Sequence, residues 1–199
     1  MIYKIFKTKK VLLLGILAVC IAFGTTGCNE DFLTTVPTDR VSSATFWSNQ
    51  RDFNTALNGT YNEMMGQDLD PLYFDGTTDI GYSHADWRRQ HEYVMGRDHA
   101  QSGWSAGIWA QLYTGISRAN EILFQLDEVG GDILSQEAAD RIRGEALFLR
   151  GYFYHELLWM YGEVPIFTKV PSVEEARNVS RASREEVYNR IMNDLSEAE

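Results

Sequence analysis

The sequence predicts a mainly α-helical fold on two observations. Apolar residues recur every three or four positions along several separate stretches, and polar caps and glycine stops bracket those stretches. Asn49 can cap a first helix over residues 50–65, where Phe53, Ala56, Leu57, Tyr61 and Met64 fall on one face. Over residues 66–103 the periodicity lapses, and Pro71, Gly76, Gly81 and Gly96 stand among Asp, His, Trp and Tyr. A connection this long is either functional or disordered, and its aromatic content argues against disorder, so it is the expected recognition segment. Periodicity returns over residues 105–126, where Ile108, Trp109, Leu112, Ile116, Ala119, Leu123 and Leu126 make one stripe that Gly130-Gly131 should end. Ser135 opens the next helix, with Ile142, Ala146, Leu149, Phe153 and Leu157 facing one way and Phe148, Tyr152 and Trp159 extending the apolar surface. Gly162 and Pro165 stop it. A capping box, Ser183 with Glu186, opens a fourth helix whose apolar face includes Ile191 and Leu195. The pattern breaks off inside that helix at Glu199, which predicts that this is the N-terminal part of a longer protein.

The first residues carry a different signal. Lys4, Lys7, Lys9 and Lys10 precede an apolar run from residue 11 to 23, followed by Thr25-Thr26-Gly27-Cys28 and the acidic pair Glu30-Asp31. A helix needs roughly 20 apolar residues to cross a bilayer, so this run reads as a secretory signal, not a membrane span. Small residues directly before a cysteine suit a lipoprotein signal peptidase, and Gly27-Cys28 reads as a bacterial lipobox with Thr25 where Leu is usual. The expected organisation is a signal peptide over 1–27, an extended tether over 28–48 lipidated at Cys28, and a helical domain over 49–199. Stable anchoring takes more than one acyl chain, which a diacylated cysteine provides without a transmembrane helix.

Charge and cysteine content exclude several functions. Removing residues 1–27 takes away four lysines and no acid, leaving 14 basic against 28 acidic residues and a formal charge of -14. Such a surface repels phosphate backbones, which argues against nucleic-acid binding. Cys20 leaves with the signal and Cys28 is the acyl site, so no disulfide, metal thiolate or cysteine nucleophile is expected beyond them. His84, His91 and His99 lie seven and eight apart without a zinc-site pattern, and Asp68-x-Asp70 with Asp75-Gly76 lacks the spacing and closing Glu of a calcium loop. No metal or cofactor is therefore expected. A glycoside hydrolase would need two carboxylates at a defined separation. No spacing singles out such a pair. Glu145 and Arg150, five apart, do not favour a direct ion pair on one face and are expected to tie their helix to neighbours.

Two helices joined by a short glycine turn, with Trp109-x-x-Leu112-Tyr113 in one and Ala146 and Phe153 in the other, resemble a tetratricopeptide unit, which must stack to bury its faces. A wider resemblance follows from the ordered blocks Cys28 to Leu33, Pro37, Phe46-Trp47, Ala56 to Tyr61, Trp109 to Asn120, Gly144 to Tyr152 and Tyr161-Gly162-Glu163-Val164-Pro165. Together they resemble the SusD/RagB family of outer-membrane nutrient-binding lipoproteins of Bacteroidota. The resemblance implies a surface lipoprotein of tetratricopeptide-like helix pairs with long irregular loops. It implies a non-catalytic protein that lies over a TonB-dependent outer-membrane transporter and holds an oligosaccharide for import, or a peptide in some relatives. Glu30-Asp31 resembles the surface-export tag of that phylum's lipoproteins.

In that family the N-terminal share of the ligand site lies in the irregular segment before the Trp109 helix. Here the segment holds the candidates Asp79, Tyr82, Trp87, Arg88 and Trp104, beside His84, Arg89 and Gln90. A sugar's C–H face stacks on an aromatic ring while its hydroxyls take Asp or Arg as partners. The alternative for Trp87 and Trp104 is that they anchor the loop to the helices.

Overall fold

The computed structural model describes residues 46–66, 69, 74–82, 89–97, 99–100 and 103–199. The expected signal peptide, Cys28 and the tether up to residue 45 lie outside them, as do Asp68, Asp70, His84, Trp87 and Arg88. The described chain is mainly helical: α1 (Gln50–Met64), α2 (Arg89–Val94), α3 (Gly103–Gln125), α4 (Gln136–Tyr161), α5 (Val173–Asn178) and α6 (Arg184–Glu197). Among the described residues, the β contribution is an isolated antiparallel bridge between Val164 and Ala182.

The caps read from the sequence are in place. The Asn49 side chain accepts from the amides of Arg51 and Asp52 while Asp52 reaches back, and Ser183 and Glu186 close the same reciprocal box at α6. Ser135 accepts from the Ala138 amide at the start of α4. Gly162 ends α4 with φ 74°, a left-handed conformation that a side chain would strain. The end of α3 differs from expectation. Gly130 and Gly131 keep right-handed dihedrals, so the helical path runs through a π-turn over Leu126–Gly130 and one more turn over Gly131–Ile133, and the extended Leu134 stops it.

α3 and α4 form an antiparallel central pair. The Tyr161 hydroxyl at the end of α4 donates to the Ser105 carbonyl near the start of α3 at 2.6 Å, and Arg143 near the start of α4 pairs with Asp127 just past the end of α3. The two helices approach closely at Gly115, where an added Cβ would stand 2.4 Å from the Phe153 ring. Their facing stripes, including Ile108, Leu112, Ile116, Ile142, Leu149 and Leu157, are buried, each side chain stabilising the fold by about 1.5–3 kcal/mol relative to exposure. α1 covers one side with Phe53 and Leu57. It is held by Arg118 donating to the Gly59 carbonyl (2.6 Å) and Gln111 to the Glu63 carbonyl (2.5 Å). Ahead of α1, Trp47 stacks on Phe53 at 4.8 Å.

α6 lies on the far side of α4, and a buried polar knot fixes it there. Arg150 donates to both Asp194 oxygens at 3.0 and 2.7 Å and to the Asn120 side-chain oxygen at 2.7 Å, joining α4, α6 and α3. Asp194 is fully buried and also accepts from Arg190. Arg150 thus ties its helix to neighbours as expected, and so does Glu145, which bonds Tyr61 of α1 besides pairing with Arg141 on its own helix. The Asn120 amide donates to the carbonyls of Phe167 (2.9 Å) and Lys169 (3.3 Å), and Tyr113 donates to the Pro165 carbonyl at 2.7 Å. The Tyr154 hydroxyl accepts from the Phe167 amide at 2.6 Å. Burial pushes its pKa up to about 12 despite that amide. These bonds strap the chain after α4 across the central pair.

Candidate functional site

The segment expected to recognise a ligand is partly ordered by local hydrogen bonds. Phe74 and Asp75 make one helical turn, whose carbonyls accept from the amides of Thr77 (2.9 Å) and Thr78 (3.2 Å) and from the same residues' hydroxyls (2.7 and 2.8 Å). The chain then folds back so tightly that a Cβ on Gly81 would stand 2.0 Å from the Asp75 carbonyl oxygen, so only glycine fits. This compact turn leaves Asp79 exposed and Tyr82 69% exposed. Phe74 attaches the turn to the helices, its ring centroid lying 5.3 Å from Trp104 and 5.7 Å from Trp159. On another edge of Trp104, Tyr93 of α2 makes a T-shaped contact at 5.1 Å.

The sequence candidates therefore separate. Asp79 and Tyr82 are both exposed, three residues apart in the chain at this turn. Trp87 and Arg88 lie outside the described residues. Trp104 needs a correction as a ligand contact, because it is only 1% exposed and belongs to the hydrophobic core. Its indole is where the irregular segment grips the helical frame, the anchoring role weighed as the alternative. Three aromatic residues were not singled out for the site: Phe74, Tyr93 and Trp159. Trp159 was expected to extend the apolar surface of α4 but is 65% exposed, and Phe148 is likewise exposed. One signal was available. Trp159 sits three residues before the Gly162 stop, which puts it at the end of α4 that an antiparallel neighbour brings beside the start of α3.

A family model described as starch-binding and associating with the outer membrane matches residues 31–199. The chain belongs to the SusD-like family. It is 27% identical over 196 residues to SusD-like protein P25 of Formosa agariphila, an alignment that covers 92% of this chain and 37% of that protein. Its fold is that of a SusD homologue from Bacteroides thetaiotaomicron, with a TM-score of 0.68 and 23% identity, over 79% of this chain and 32% of the other. A laminarin-binding SusD-like protein shares the fold with a TM-score of 0.63 and 23% identity, over 76% of this chain and 34% of its own. The chain thus spans about 37% of the length of the curated SusD-like relative.

Elsewhere on this SusD-like chain the surface is chemically different. A cavity of about 360 Å³ between α3 and the strap after α4 is lined by Trp109, Tyr113, Phe167, Val170, Pro171 and Val179 among others, and is mainly apolar. Asn120 reaches it, but its amide and its oxygen are both already engaged. An open groove of about 620 Å³ beside Gly144 and Ala198 carries Arg141 and Glu145, which pair with each other. Among the described residues no cluster of His, Cys, Asp and Glu could hold a metal ion, and no helix is long and apolar enough to cross a membrane. Asp52, Glu175 and Glu186 are held below the usual carboxylate range by hydrogen bonds to neighbouring side chains and amides at helix starts. A general acid needs the opposite displacement.

Proposed function

We propose that the protein is a non-catalytic, glycan-binding lipoprotein of the outer-membrane surface, anchored through Cys28, that holds an oligosaccharide for a TonB-dependent transporter. The family match over residues 31–199 carries this reading, since the family is described as starch-binding and outer-membrane-associated. The laminarin-binding neighbour supports sugar over peptide as the ligand class. The export signal with Gly27-Cys28 supports the anchor. The exposure of both Asp79 and Tyr82 at an internally bonded turn supports this segment as a contact, with Trp87 and Arg88 as its further candidates: a carboxylate can take two sugar hydroxyls while a phenol ring stacks.

Titration calorimetry of the full-length protein against a panel of oligosaccharides tests the binding step. Saturable heat with no change in the sugar is expected. Released shorter sugars would overturn the non-catalytic reading. Metabolic labelling with a fatty acid should mark the wild type and not Cys28→Ser. Affinity purification from outer membranes should retain a TonB-dependent transporter. Recovery without one would remove the delivery step.

A further inference from the structure

Trp159 is the largest exposed aromatic side chain next to the recognition turn, and nothing in its helix requires it to be there. It occupies the last turn of α4, where a polar residue would hydrate at no apolar cost. Instead its indole is 65% exposed. Phe74 braces it from one side at 5.7 Å, and Phe74 is itself braced at 5.3 Å by the buried Trp104. The three rings form a relay from core to surface. The Phe74 backbone carbonyl also accepts the first hydrogen bonds of the turn that leads to Asp79 and Tyr82, so the residue whose ring touches the indole also opens that turn. An indole already in contact with a second ring has less freedom to lose, which lowers the entropy cost for a ligand that stacks on it. The π face of an indole is electron-rich and suits the C–H face of a pyranose.

We propose that Trp159 is a sugar-stacking platform of the ligand surface, working with the turn that carries Asp79 and Tyr82. The inference rests on the glycan-binding reading above and adds a residue from the helical frame to a site otherwise drawn from the irregular segment. An exposed indole with an exposed carboxylate on the attached turn suits an oligosaccharide, whose rings alternate apolar faces with hydroxyl edges, better than a purely apolar ligand, which would have no use for Asp79.

The test uses the full-length protein as wild type, Trp159→Ala and Trp159→Phe, titrated with maltohexaose, laminarihexaose, cellohexaose, isomaltohexaose and a tryptic peptide pool. For the hexasaccharide the wild type binds, Trp159→Ala is expected to bind about tenfold more weakly, equivalent to about 1.4 kcal/mol. Trp159→Phe keeps a stacking face and should stay within about threefold of wild type. A ring that serves the ligand and not the packing should leave the thermal midpoint the same in all three proteins. Wild-type binding with Trp159→Ala within about twofold overturns the platform and leaves the glycan reading standing. Equal losses in both variants with a lowered midpoint overturn it in favour of a packing role. Wild-type binding to none of the sugars, or to the peptides alone, overturns the glycan reading itself and the platform with it.

Discussion

Residues 103–199 and residues 74–97 meet at the same indole, Trp104, but they are fastened by different means. The helical frame is held redundantly: interdigitated apolar stripes, a close helix crossing at Gly115, and Arg150 bonded at once to α6 and α3. Among the described residues the irregular segment is held by ring contacts from Phe74 to Trp104 and Trp159 and from Tyr93 to Trp104, by the buried Gln90, and by hydrogen bonds within its own turn. The difference separates two tasks. A frame with many mutually dependent contacts keeps one geometry, while a segment attached through a few rings can change its surface residues at little cost to the fold.

The sharpest way to break this contrast is to cut the knot in the frame. Arg150→Met keeps apolar volume but removes a charge from beside the buried Asp194, and should destabilise the domain by about 3 kcal/mol in urea unfolding. A loss under about 1 kcal/mol would show that Arg190 alone satisfies Asp194. Gly115→Ala comes next. Its methyl would meet the Phe153 ring, and the expected cost is about 1–3 kcal/mol, partly recovered in the double variant with Phe153→Leu. Phe74→Leu tests the other region. It should cost roughly 1 kcal/mol or less, yet speed amide exchange in residues 74–82 and leave α3 and α4 unchanged. A global loss of protection would erase the distinction between the two regions.

The smallest effect concerns Glu175, whose carboxyl is lowered from 4.5 to about 2 chiefly by a hydrogen bond from Lys169 and then by the Ser172 amide. Because the folded pKa is depressed, its contribution is complete above the ordinary value and is lost as pH falls from about 4.5 through about 2. Carboxyl carbon NMR should give a midpoint near 2 in the wild type, moving toward 4.5 in Lys169→Ala. No corresponding shift in α3 is expected.

The same contrast explains what could be read from the sequence. The frame announced itself because its stripes and caps are local: Asn49 with Asp52 and Ser183 with Glu186 lie within one helical turn of their partners. The short α5 carries the same signal, Ser172 with Glu175, and was not singled out because six residues give no periodicity. Gly130-Gly131 misled because a glycine stops a helix only when it turns left-handed, and these two do not. The site was less legible because its decisive relations are long-range. Trp104 lies in the chain beside other candidate contacts, but only tertiary packing buries it under Phe74 and Tyr93. Trp159 follows the apolar pattern of α4, and only the tertiary structure shows it as an exposed ring beside Phe74.

Hydrogen exchange of the full-length protein, with and without an oligosaccharide it binds, separates the two regions. The ligand should slow exchange in the peptides spanning residues 74–97 and in the last turn of α4, with the remainder of α3, α4 and α6 unchanged. Protection centred instead on the strap over residues 165–179, with residues 74–97 unaffected, would contradict it.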